Sequence, residues 1–124
     1  MAVHLYNKKS QSMSVYKRRA TKPINVGDVK VGGDSPITVQ SMTKTDTRDI
    51  SATARQIAAL EDAGCEIVRC AVPDMEAAKA LKQIKSLANI PVVADIHFHY
   101  QLALESLESG VDCLRLNPGN IRDQ

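Results

Sequence analysis

The sequence predicts an α/β fold, a parallel sheet made by successive βα units. Short runs rich in Val, Ile and Leu, centred on Val39, Val68, Val93 and Leu114, recur at intervals of 29, 25 and 21 residues. Amphipathic stretches with apolar residues at helical spacing lie between them. The third observation is composition: 44% of the residues are apolar, yet there is only one Phe, three Tyr and no Trp. The core must then be filled by Val, Ile, Leu and Ala, the usual contents of a parallel sheet covered by helices. A chain of 124 residues has the size of one ordinary domain.

The elements follow in order. "KPINVGDVKVGGDSPITVQSM" alternates Val/Ile runs with Gly-Asp and Gly-Gly-Asp turn signals, which predicts a small hairpin leading into a first strand at 37–42. In "DISATARQIAALEDAG" the residues Ile50, Ala54, Ile57 and Leu60 keep helical spacing, with Asp49 as N-cap and Gly64 as the stop. "EIVRCAV" is the second strand. "PDMEAAKALKQIKSLA" is a second helix with an apolar stripe of Met75, Ala78, Leu81 and Ile84, and with Lys79, Lys82 and Lys85 on a solvated face. Pro91 opens a third strand, 91–98; "YQLALESLESG" is a shorter helix ending at Gly110; "DCLRLNPGN" is a fourth strand and an abrupt turn. Such a series implies parallel strands joined by right-handed crossovers. A doubly wound open sheet and the first half of a (β/α)8 barrel both fit. The GxGxxG fingerprint of dinucleotide folds follows none of the strands.

The formal net charge of +2 hides an asymmetry. Residues 1–22 hold six basic residues and no acid, while 23–124 carry ten bases against fourteen acids. The arm lacks the aromatic interleaving of a nucleic-acid binder and the Arg-rich amphipathic pattern of a targeting peptide, so it reads as a flexible, solvated terminus. No run approaches the roughly 18 apolar residues of a membrane span, and no signal-peptide core follows Met1. A cytoplasmic protein is expected. Cys65, Cys70 and Cys113 are odd in number and lack CxxC spacing, which indicates reduced packing thiols.

Strand parity locates the candidate site. Side chains alternate between faces, so Arg69 lies opposite Val68, Cys70 and Val72; Asp95 and His97 lie opposite Val92, Ala94 and Ile96; and Arg115 and Asn117 lie opposite Leu114 and Leu116. Each opposing face is apolar. Arg69, Asp95, His97, Arg115 and Asn117 therefore share the inner face near its carboxyl end, where α/β folds bind ligands. Two inward guanidiniums suit a polyanion, because the planar fork matches two oxygens and its charge does not titrate away. An internal ion-pair network that only holds the fold is the competing explanation, and burying charge for stability alone is rarely favourable. "QSMTKT" adds Gln40, Ser41 and Met42 as candidate substrate contacts, unless it is only the loop after the first strand. His99 is expected to face solvent or cap the third helix.

Taken together, "PITVQSMTKTDTRD", "GCEIVRCAVP", "PVVADIHF" and "GVDCLRLNPGN" resemble the N-terminal part of the 4-hydroxy-3-methylbut-2-enyl diphosphate synthase family over about residues 23–120. The resemblance implies the first half of a TIM barrel over 23–124, following the arm at 1–22. It implies binding of 2-C-methyl-D-erythritol 2,4-cyclodiphosphate, with Arg69 and Arg115 on the diphosphate and His97, Asn117 and Asp95 beside them. It further implies reductive ring opening and loss of water, electrons from ferredoxin or flavodoxin, a head-to-tail homodimer, and a 4Fe-4S cluster in a separate domain. None of the three cysteines matches a cluster ligand, and the 124 residues are expected to be inactive alone. One departure is His99, where the family more often carries Asp. The alternatives are a phosphate-binding TIM-barrel enzyme of the pteroate synthase type and a non-catalytic, self-associating half-barrel.

Overall fold

The computed structural model describes residues 17–121. Two three-residue strands, β1 (Ile24–Val26) and β2 (Val29–Val31), form the antiparallel hairpin. Then come β3 (Gln40–Met42), α1 (Ile50–Asp62), β4 (Ile67–Ala71), α2 (Met75–Leu87), β5 (Val92–Ile96), α3 (Tyr100–Glu108) and β6 (Cys113–Leu116). The four later strands make one parallel sheet in the order β3-β4-β5-β6. Neighbours in sequence are neighbours in space throughout. An order that never reverses, with one set of crossovers, is that of a barrel wall and not of a doubly wound sheet.

Local chemistry fixes the helix ends. The Asp49 carboxylate accepts from the Ala52 amide and the Asp74 carboxylate from the Ala77 amide, each satisfying a first-turn donor. At the other end of α1, Gly64 takes φ 98° while its amide donates to the Glu61 carbonyl and the Cys65 amide to the Leu60 carbonyl. Gly110 repeats this Schellman arrangement after α3 at φ 93°. Both stops were legible as glycines. His99 holds the N-cap position of α3 but makes no side-chain cap bond, and it is exposed.

The helices cover one face of the sheet. Val68, Cys70, Val72, Val92, Ala94 and Ile96 pack there against Ile57, Ala77, Ala78, Leu81, Ile84, Leu102 and Ala103. The hairpin covers the amino end of the opposite face, where Val26 packs with Ile67 and Val93, flanked by Val29, Val31 and Cys113. Gly27 permits this seat. Its φ is 56°, and a Cβ there would stand 2.9 Å from Pro91 Cγ. The hairpin therefore closes the amino end of the inner face and leaves the carboxyl end for polar groups.

Four expectations need correction. The first strand is Gln40–Met42 and not 37–42; Ile37 is 85% exposed, because this edge has only β4 as a neighbour. The third strand stops at Ile96, so His97 and Phe98 belong to the following loop. Met75 is exposed and the buried stripe of α2 runs instead through Ala77, Ala78, Leu81 and Ile84. Lys79 and Lys82 are solvated, whereas Lys85 reaches Asp112 across 2.7 Å. Of the basic arm, residues 1–16 lie outside the described residues. Its end touches the hairpin: Arg18 Nη1 donates to the Ser35 carbonyl, and the Gly33 amide donates to Thr21 Oγ1.

The Asp112 carboxylate also accepts from the Val92 amide at 2.8 Å, tying the starts of β5 and β6 to α2. Asp112→Ala leaves a part-buried amide without its acceptor and should cost about 1–3 kcal/mol in urea denaturation. Asp112→Asn keeps an acceptor and loses only the ion pair, so it should cost less than Asp112→Ala.

Candidate functional site

Backbone register brings the strand-end residues together. Met42 pairs with Arg69 and Arg69 with Val93; one pleat onward Ala71 pairs with Asp95 and Asp95 with Arg115. Paired residues on neighbouring parallel strands share a face. Arg69 therefore lies one pleat behind Asp95 and reaches forward to it, while Arg115 reaches it from the side.

Asp95 is the centre. Its side chain is 2% exposed, with Arg69 Nε 3.2 Å from Oδ2 and Arg115 Nη1 donating to Oδ1 at 3.1 Å. His97 Nδ1 stands 3.9 Å from the same Oδ1, too far for a hydrogen bond. The guanidiniums are less enclosed: the side chains of Arg69 and Arg115 are 32% and 41% exposed. One carboxylate thus meets two guanidiniums, and the cluster carries excess positive charge. Arg69 Nε is itself sealed from solvent, and its N–H is not aligned with any acceptor despite the short distance to Asp95. Arg69 Nη2 instead leans on Met42 Sδ at 3.6 Å. Of the six guanidinium nitrogens, Arg115 Nη1 alone donates a hydrogen bond to Asp95, and Arg69 Nε makes a charge contact with it.

The remaining expected contacts divide. Met42 joins the site. Asn117 follows β6 on the Arg115 side, but its Oδ1 accepts from the Gly119 amide and shapes the turn. Ser41 pairs in register with Val68 and so stands on the helix-facing side, away from Asp95. Gln40 pairs with Ile67, at the hairpin end. The hydroxyls of "QSMTKT" serve the loop. Thr43 Oγ1 lies 3.5 Å from the Arg69 carbonyl, and Thr45 Oγ1 bonds Thr53 Oγ1 at 2.8 Å. Thr47 Oγ1, buried, donates to the Ala71 carbonyl at 2.6 Å, and Gln56 Oε1 accepts from the Lys44 and Thr45 amides. These bonds fasten the loop to β4 and α1. Nothing in the local pattern signalled Gln56 or Thr53, since both lie inside a helix.

A second ionic cluster sits on the loops of the same end. Arg48 bonds Asp46 at 2.7 Å and Asp74 at 3.1 Å, joining the loop after β3 to the loop after β4. Hydrogen bonds from Arg48 hold the Asp46 carboxyl down at about 2, below its ordinary 3.8. The cysteines do not converge. Cys70 is fully buried on the helix side, where burial pushes its thiol up; Cys65 donates to the Ile67 carbonyl; Cys113 is half-buried on the inner face. A 4Fe-4S cluster needs several thiolates aimed at one point, and these three do not fit one. Among the described residues, no group of three or more His, Cys, Asp or Glu could hold a metal ion, and no helix is long and apolar enough to cross a membrane.

Fold and polar cluster together describe a segment of barrel wall with its charged residues gathered at the strand carboxyl ends. The chain belongs to the GcpE TIM-barrel domain family, which matches residues 21–124. The enzyme named 4-hydroxy-3-methylbut-2-en-1-yl diphosphate synthase (flavodoxin) from Dehalococcoides mccartyi is 63% identical over 106 residues, 86% of this chain and 30% of that protein. The proteins of the same name from Thermodesulfovibrio yellowstonii and Ectopseudomonas mendocina are 64% and 62% identical, over 85% and 87% of this chain. The chain spans about 30% of the length of these relatives. The resemblance read from the four motifs is borne out. Among solved structures, the carboxyl transferase domain of Rhizobium etli pyruvate carboxylase superposes with a TM-score of 0.51 at 18% identity, over 62% of this chain and 16% of that one, a likeness of fold alone.

Proposed function

We propose that this chain supplies part of the diphosphate-binding wall of a 4-hydroxy-3-methylbut-2-en-1-yl diphosphate synthase. The substrate is the cyclic diphosphate 2-C-methyl-D-erythritol 2,4-cyclodiphosphate, which is reductively opened and dehydrated. Flavodoxin, named with the relatives, or a ferredoxin supplies electrons, in a cytoplasmic homodimer. The 4Fe-4S cluster is assigned to residues other than these cysteines.

The convergence of Arg69 and Arg115 on one buried carboxylate carries the reading. Each guanidinium spends one nitrogen on Asp95 and keeps others for a ligand, so the pair is oriented before the ligand arrives and loses less freedom on binding. A diphosphate offers oxygens spaced for two forks. His97, with its side chain 43% exposed beside Asp95, is placed to donate to a phosphoryl oxygen or to move a proton at the site.

Calorimetric titration with the cyclodiphosphate tests the reading. Arg69→Ala and Arg115→Ala should each weaken binding by about 1.5–3 kcal/mol, the worth of a charge-assisted contact. Unchanged affinity in both variants would remove the site assignment.

A further inference from the structure

The loop after β3 holds a cation that the proposed site leaves unused. Its backbone is fastened at successive points: the Thr43 amide donates to the Arg69 carbonyl at 3.0 Å, and the Lys44 and Thr45 amides donate to Gln56 Oε1 at 2.8 and 3.1 Å. Thr47 adds its bond to the Ala71 carbonyl. The other basic residue of this loop, Arg48, is committed to Asp46 and Asp74. Lys44 is exposed, and among the described residues its ammonium has no ion-pair or hydrogen-bond partner.

Its position is informative. Lys44 lies two residues beyond Met42, whose Sδ touches Arg69 Nη2 at 3.6 Å. Two residues of extended chain span about 6.5 Å, and the lysine stem adds four carbons of reach. Lys44 therefore stands at the carboxyl-end rim, on the β3 side of Arg69, opposite the side that Arg115 occupies. Arg69, Arg115 and Asp95 together carry one excess positive charge, less than the charge of a diphosphate.

We propose that Lys44 is a third cationic contact for the anionic ligand, closing on it from the β3 side. This rests on the anion-binding reading above and extends it to a residue on a different strand. A pinned backbone with a free, flexible ammonium suits that role: the loop fixes where the charge starts, and the stem adapts to an outer phosphoryl oxygen. Exposure and salt screening make the contact weaker than either arginine's.

The test is a phosphorus-NMR titration of the complete synthase that contains this wall, with the cyclodiphosphate and with inorganic pyrophosphate, at low and at physiological ionic strength. Lys44→Ala should weaken binding about five- to tenfold at low salt, with a smaller loss at physiological salt. Lys44→Arg should restore most of it, and Lys79→Ala, which removes an exposed charge from α2, should change nothing. Thermal melting should be the same for wild type and Lys44→Ala. If Lys44→Ala binds as wild type while Arg115→Ala does not, the Lys44 contact is wrong and the diphosphate site stands. If neither substitution matters, or wild type does not bind, both are wrong. Equal losses in Lys44→Ala and Lys79→Ala would reduce the effect to net charge and also overturn the contact.

Discussion

Asp95→Ala should destabilise the domain by about 3 kcal/mol, the lower end of the 3–5 kcal/mol range for removing one partner of a buried ion pair. The Asp95 side chain is 2% exposed and is approached by two guanidiniums, so its loss leaves both without their anion. The lower end applies because the arginine side chains are about a third or more exposed and can turn part of their charge to water. Arg69 Nε is the exception: it is already sealed and unaligned, and in the variant it would have no nearby anion at all. Asp95→Asn retains one acceptor oxygen at the same volume and should cost less than Asp95→Ala. Urea denaturation of the two variants measures this. A loss below about 1 kcal/mol for Asp95→Ala would mean that water replaces the carboxylate freely, and the network would then contribute little to stability.

The inner-face residues were legible because alternation along a strand is a geometric constraint that packing rarely overrides. Arg69, Asp95 and Arg115 each sit within a strand flanked by apolar neighbours, and only one assignment of faces buries those neighbours. Parity weakens where the strand ends: His97 and Asn117 lie beyond Ile96 and Leu116, and Asn117 gives its oxygen to a turn. Ser41 lies off the inner face for a related reason: successive residues of β3 face opposite ways, so the run "QSMTKT" cannot present all its side chains to one ligand. Gln40 shares the correct face but sits at the wrong end of it. The contacts that fasten the loop after β3 join residues 8 to 26 positions apart through single hydroxyls and one amide, and no periodicity announces such pairs. Lys85 was hidden in the same way: helical spacing placed it among solvated lysines, whereas the start of β6 supplies Asp112 beside it.

The largest effect expected on the other face of the sheet is that of Leu81→Ala, at about 2–5 kcal/mol. Leu81 is fully buried in α2, within the cluster that holds Ile57, Ile84, Val68 and Val92, and truncation removes apolar contacts between that helix and the sheet. Leu81→Met, which nearly conserves volume, should cost less than about 1.5 kcal/mol. Comparison with Asp95→Ala separates the forces on the two faces of β4 and β5. Added sodium chloride screens the ionic network, so the difference between wild type and Asp95→Ala should shrink as salt rises, while that between wild type and Leu81→Ala should stay constant. Denaturation series at two ionic strengths decide it. A Leu81→Ala cost under 1 kcal/mol would show that α2 is not seated on the sheet as described, and the alignment of Arg69 with Asp95, which depends on β4 and β5 being held from behind, would lose its support.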